Sequence, residues 1–339
     1  MSQAARMAYP PHAKAEDYAL FDRARNVFPV NLDWRQISPD QLNEIARVHS
    51  IEVATAGWCD AIRNAPEQAD FVRAIETAVT GRTSPAIVDL PTIVLIRGAF
   101  FRQHRQTGAD GDRILRIARE MGWPIELVEI DSFGSLERNA DAILNHLLRT
   151  QASKLMLVSL SKGSADIAMA LNDPRAAAAM ERVCGWVSLS GLSTGTPLIS
   201  WLRSHRLRTI GVHLLLWSRG QRFRVLDQLR HNNGPLASRV TIPAHFRTIH
   251  VVGFPVRCHL RHPWAPNGYE RIAPLGPTDG GGILLADSAR LQGRVYPVWG
   301  ADHYLQPDWD VEPLIRSILL HAARSDVQPN AIPTTKSNA

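Results

Sequence analysis

The sequence predicts an α/β protein with a mostly parallel sheet and helices on both faces. Three observations carry this reading. Short apolar runs alternate with helical stretches from about residue 85 onward. Those runs are apolar nearly throughout, as strands covered on both faces are. The residues with chemical potential fall just after the runs, at the strand ends where ligands sit in such sheets.

Taken in order, residues 1–15 read as a loose leader. From about Glu16 to Gly81 the pattern is helical. DQLNEIARVHSIEV (40–53) and PEQADFVRAIETAV (66–79) place apolar residues three and four apart, and Pro39-Asp40 and Asn64-Ala65-Pro66 read as helix starts. Residues 1–84 therefore form an N-terminal helical accessory segment, packed on the main domain or carrying partner contacts. The main domain, 85–324, holds the strand-like runs PTIVLIRGAF (91–100), IELVEIDSFGS (125–135), KLMLVSLSKGS (154–164), VCGWVSLSGLS (183–193), IHVVGFPV (249–256) and RVYPVWGADH (294–303). Helical stretches at 111–122, 137–151 and 164–183 lie between them. Residues from about 197 to 248 break the rhythm and read as a helical cap insertion over the site. Residues 325–339 are polar and aperiodic, a disordered tail.

A serine hydroxyl attacks well only when a base takes its proton. Ser159-Leu160-Ser161-Lys162-Gly163 reads small-x-Ser-x-small, with the apolar KLMLV leading in and the helix-forming SADIAMAL leading out. That is the strand–turn–helix setting of the nucleophile elbow in α/β-hydrolases. Gly191-Leu192-Ser193-Thr194-Gly195 is a rival match, but Thr196-Pro197 follows it without a clean helical start. The base should be a histidine held by a carboxylate, in the chain order Ser, acid, His. Of the 13 histidines, His303 lies just past the last apolar run, whereas His250, His259 and His262 fall before or inside the loop that should carry the acid. Asp279 sits in the turn Pro277-Thr278-Asp279-Gly280-Gly281-Gly282 and ranks first as the acid. Asp287, a candidate helix N-cap, ranks second, and Asp302 third. The oxyanion hole falls to the backbone N–H groups of Lys162 and Ala99, with Phe100 next. The Lys162 side chain is expected to point into solvent.

Bulk properties narrow the function. The chain has 339 residues and a net charge of +6, with Lys only at Lys14, Lys154, Lys162 and Lys336. No nucleic-acid-binding pattern is visible. Cys59, Cys184 and Cys258 show no disulfide or metal spacing. The N-terminus lacks the apolar run of a secretory signal, and no stretch has the length of a membrane span, which predicts a cytoplasmic protein. Residues 200–247 carry nine Arg and one acid, Asp227, among Leu, Trp and Phe. The Arg excess of the whole chain reads as coding bias or as a sign of an anionic substrate or membrane surface, and the 200–247 mixture suits a peripheral membrane contact through the cap or an ordinary cap over the site.

Several segments together resemble bacterial triacylglycerol lipases and related esterases of the α/β-hydrolase fold: LIRGAF, DSFGSLERNADAIL, SLSKGSADI, LSGLSTGTPLISWL, PTDGGGIL and GADHYL, across roughly residues 90–320. The resemblance implies an ester hydrolase with a small-molecule or lipid-like substrate and no cofactor. It implies Asp279 as the triad acid, and it puts Ser193 on a substrate-side loop. Two departures stand out: Arg97 replaces the usual His before the oxyanion Gly, and Ser159 replaces Gly at the elbow. Asp302 precedes the histidine rather than following it, so no calcium site is expected. An acyltransferase or thioesterase with the same triad, and a non-catalytic binding protein on this fold, remain open alternatives.

Overall fold

The computed structural model describes residues 8–29, 32–81, 90–218, 224–231, 236–237 and 240–324. The expected tail at 325–339, the boundary at 84/85 and parts of the leader and insertion lie outside the described residues.

The apolar runs become six parallel strands: β1 (Thr92–Ile96), β2 (Ile125–Leu127), β3 (Leu155–Leu160), β4 (Val183–Leu189), β5 (Arg247–Phe254) and β6 (Arg294–Trp299), in sheet order β2-β1-β3-β4-β5-β6. Helices complete the chain order: α1 (Ala15–Val27), α2 (Pro39–His49), α3 (Ile51–Asn64), α4 (Pro66–Thr80), α5 (Asp112–Glu120), α6 (Leu136–Arg149), α7 (Lys162–Leu171), α8 (Ala176–Ala179), α9 (Pro197–Arg203), α10 (Arg206–Ser218), α11 (Arg224–Gln228), α12 (Ala265–Ile272) and α13 (Glu312–Ala323). The chain leaves β1 toward β2 on one side and returns to β3 on the other. The sheet thus has its topological switch between β1 and β3, where α/β sheets bind ligands.

Strand alternation sorts the core onto two faces. Ile93, Leu95, Met156, Val158, Val187, Val251, Tyr296 and Val298 pack against α4, α5 and α13. On the opposite face, Val94, Ile96, Leu155, Leu157 and Trp186 pack with residues of α6, α7 and α8. At the β5–β6 end of that face, Val252, Phe254, Val295 and Trp299 are covered by Phe21, Phe28, Trp34, Trp58 and Ile62. The N-terminal helices therefore serve both layers, α1–α3 on one face and α4 on the other.

Several elements differ from the sequence reading. The helix expected across 40–53 divides at Ser50, whose φ of 137° no helix allows and whose Oγ accepts the Val53 N–H to start α3. The helix expected across 164–183 ends at Leu171, because Pro174 cannot donate to its ladder, and resumes only as α8. The run at 125–135 shortens to β2, an edge strand; beyond it the Asp131 carboxylate accepts the Phe133 N–H and turns the chain. Within the expected leader, Tyr9 stacks on Tyr18 and His12 on Trp309, so residues 8–14 lie packed. A helix does follow Thr196-Pro197: Thr196 caps α9 and Pro197 occupies its first turn. Among the described residues, no helix is long and apolar enough to cross a membrane.

Candidate active site

β3 delivers Ser161 to a turn so sharp that its φ is +46°, a strained value for a residue with a Cβ. The turn is held from three sides. Ser161 donates its N–H to Leu189 O (3.0 Å), and its carbonyl accepts the N–H groups of Leu192 (3.0 Å) and Ser164 (3.1 Å). Gly163 is obligatory, since a Cβ there would lie 2.7 Å from Ile96 O. Ser159 is tolerated at the first small position because its side chain turns into the core. Its Oγ receives the Trp186 Nε1–H (2.8 Å) and joins Ser164 Oγ and then Ser188 Oγ, each step 2.8 Å.

Ser161 Oγ lies 3.0 Å from His303 Nε2, and His303 Nδ1 lies 2.6 Å from Asp279 Oδ2. An ionised carboxylate only accepts, so Nδ1 carries the proton and Nε2 offers its lone pair to the serine hydroxyl. The other oxygen, Asp279 Oδ1, accepts the N–H groups of Gly281 (3.0 Å), Gly282 (2.8 Å) and Ile283 (3.0 Å). The Asp-Gly-Gly-Gly turn therefore saturates one oxygen and aims the other at the imidazole. The same glycines make room for the ring: a Cβ on Gly282 would sit 2.5 Å from His303 Cε1, and one on Gly281 2.9 Å from Cγ.

Burial is the largest influence on both partners and opposes their charge. It raises Asp279 and lowers His303, but their mutual attraction and hydrogen bond win, helped at Asp279 by the backbone N–H groups. The carboxyl ends below its ordinary range and the imidazole above its own.

The alternatives lie elsewhere. Ser193 Oγ is buried with no hydrogen-bond partner among the described residues. Asp287 is no N-cap; it sits within a 3-10 turn, buried, 2.7 Å from His231 Nε2. Asp302 faces away and accepts the Arg261, His262 and Tyr304 backbone N–H groups. His250 contacts Gln292 O, and burial lowers its pKa to about 4. His259 pairs with Asp17 at 3.2 Å, and His262 stacks on Tyr304.

Lys162 begins α7, so its N–H has no intrahelical acceptor. With Ala99 and Phe100 (φ +62°) it lines the cavity beside Ser161. Its side chain corrects the expectation of a solvent-facing lysine. The ammonium is buried and donates to Asp166 Oδ1 at 2.7 Å, one turn along the helix, and Asn139 donates to the other oxygen. Arg97, in place of the usual His, lies over the Phe101 ring at 4.0 Å. Among the described residues no group of three or more His, Cys, Asp or Glu is arranged to hold a metal ion.

Ser161, His303, Ala99 and Lys162 open on a cavity of 630 Å³. One wall shares the core under α5 and α13, with Ile114, Leu305 and Ile315. The other is the cap, where Leu202, Val212 and Leu226 meet Phe100 and Phe133, with Ile199 beside Leu226. Little in the sequence marks these lining residues, because helices α5, α9, α10, α11 and α13 and the loops between strands and helices bring them together only when the chain folds.

No family model matches the sequence, and no curated protein matches it. Solved structures do. A metagenomic carboxyl esterase is similar at 19% identity and a TM-score of 0.53, over 72% of this chain and 79% of that one. The lipase BlEst2 of Bacillus licheniformis in its mature form is similar at 16% identity and a TM-score of 0.51, over 70% and 96%. Likeness at this level defines the fold, and with the parallel sheet it is plain: the chain has the α/β-hydrolase fold.

Proposed function

We propose that this protein is a serine hydrolase that cleaves carboxylic esters through an acyl-enzyme. One observation carries the reading: a strained serine at a strand–helix elbow, 3.0 Å from an imidazole that is itself 2.6 Å from a buried carboxylate, with the serine and the imidazole facing one largely apolar cavity. Similarity to an esterase and a lipase supports the same reading at the level of the fold.

In this reaction His303 Nε2 takes the Ser161 proton as Oγ attacks the ester carbonyl. Asp279 stabilises the imidazolium and holds its tautomer. The negative charge on the carbonyl oxygen meets the Lys162 and Ala99 N–H groups, whose positions cost nothing to reorganise. The imidazolium then protonates the leaving alkoxide. Water, deprotonated by the same nitrogen, releases the acid.

A fluorophosphonate probe should label the wild type at Ser161, and Ser161→Ala should lose both the label and hydrolysis of nitrophenyl esters while its circular dichroism is unchanged. Labelling retained in the variant would remove Ser161 from the role. The proposal includes a reducing, cytoplasmic setting, supported by the free thiols of Cys59, Cys184 and Cys258. It also includes peripheral membrane contact through the cap, where Leu207 is 73% and Ile210 54% exposed beside Arg206 and Arg208. Flotation with anionic but not zwitterionic liposomes would support that contact, and flotation with neither would exclude it.

A further inference from the structure

The cavity is apolar but not electrically neutral. Among the described residues no Asp or Glu lines it, whereas Arg113, Lys162 and Arg271 do. Lys162 is already compensated by Asp166. Arg113, half-buried on α5, gives one N–H to Leu305 O at 2.8 Å and meets no carboxylate within ion-pair distance among the described residues. Burial lowers its pKa, and the more distant Glu312 and Asp310 offset that only in part. The neighbouring acids are engaged elsewhere: Glu312 pairs with Arg116 and Glu270 with Arg257.

Arg271, exposed at the cavity's edge, is the more telling group. It lies on α12 one turn after Asn267, on the same helix face, and both line the cavity. Its guanidinium rests 4.2 Å from the centre of the Trp201 ring, which also carries Arg208 at 4.1 Å. Trp201 belongs to the cap helix α9 and lines the cavity too. The contact with Trp201 positions the guanidinium, whose planar fork of N–H donors suits a carboxylate. Among the described residues that fork meets neither a carboxylate nor a hydrogen-bond acceptor. Among the described residues neither guanidinium on this indole pairs with a carboxylate, so both leave positive charge beside the cavity.

We infer that the ester accepted by this site carries an anionic group, of carboxylate type, which Arg271 receives at the cavity wall while the ester carbonyl lies at Ser161. The inference rests on the serine-hydrolase reading above and names its substrate class. The uncompensated positive potential draws such an ester in, and the apolar lining takes the chain between its charged end and the carbonyl.

The test uses paired alkyl fluorophosphonates of equal chain length, one ending in methyl and the other in carboxylate, across a series of lengths. Their second-order rates of labelling Ser161 are compared in the full-length protein. At the best-fitting length the carboxylate probe should react about tenfold faster or more, and added salt should erode that advantage. In Arg271→Met the ratio should fall to about one, and Arg271→Lys should restore part of it, since charge returns without the planar fork. Labelling of Ser161 with a wild-type ratio of one or less at every length would overturn the inference alone. A wild-type preference that survives intact in Arg271→Met would overturn the role of Arg271. Absence of labelling by either probe would remove the serine-hydrolase reading, and this inference with it.

Discussion

At the residue scale the decisive balance is between burial and pairing at Asp279 and His303. In the proposed mechanism the imidazole serves as base only when neutral, and the pairing holds its proton above the ordinary value of about 6.5. The acid limb of kcat/KM should therefore lie above that value. Asp279→Asn should move the limb to lower pH and reduce kcat by about 10⁴-fold, because the amide favours the wrong tautomer. A limb that stays put in the variant would deny Asp279 its influence. Stability runs the other way. The raised His303 contributes stability that is complete below the unfolded value and lost as pH rises through its folded pKa. The lowered Asp279 contributes stability above the unfolded carboxyl value of about 3.9 that is lost as pH falls through its folded pKa. Activity thus rises where the His303 contribution to stability fades. Gly282 offers a steric test: Gly282→Ala sets a methyl against His303 Cε1, and displacing the ring should lower kcat about 10²-fold in an ester assay while KM moves little. Turn chemistry made the carboxylate legible in the sequence. The second duty of Gly281 and Gly282, yielding space to the His303 ring, depends on tertiary approach and leaves no local mark.

At the element scale the site depends on how β3 passes into α7. The apolar run, the small residues and the helix-forming run were readable because each follows from local sterics. The fate of the intervening side chains was not. Ser159 reads as an imperfect glycine, yet it is the acceptor for Trp186 in a line of three serine hydroxyls spanning β3, α7 and β4. Lys162 reads as a surface residue, yet it is buried against Asp166. Burial pushes the Asp166 carboxyl up, and Lys162 and Asn139 offset that only in part. Removing one member of such a pair is more damaging than the pair is stabilising, because the survivor remains buried and charged. Asp166→Ala should lower unfolding stability by about 3–5 kcal/mol in denaturant titrations, against about 0–1 kcal/mol expected of an exposed pair. A loss within the exposed range would mean that water reaches the ammonium.

For the whole molecule, the question is what the first 84 residues contribute. Read as sequence they are an accessory layer, since helical periodicity reports an apolar face but not what it covers. In the fold they cover the β5–β6 end of the sheet. Trp58 donates its indole N–H to Leu285 O (2.9 Å) and Ser288 Oγ (3.0 Å), in the segment that follows the Asp279 turn. Phe21, Trp34, Trp58 and Ile62 are fully buried there, and at about 1.5–3 kcal/mol for each large apolar side chain, their burial rivals the whole stability of a typical domain. A chain beginning at residue 85 should therefore lack a cooperative thermal transition and bind a hydrophobic dye, with His303 no longer held in place by the strand beneath it. Trp58→Phe separates packing from hydrogen bonding: it keeps most of the ring and removes the indole donor from Leu285 O, which still accepts the Ser288 hydroxyl, at a cost of about 0.5–1.5 kcal/mol. If the shortened chain instead melts cooperatively and still takes the fluorophosphonate at Ser161, the N-terminal helices are dispensable, and the sheet must find another cover for Val252, Phe254 and Trp299.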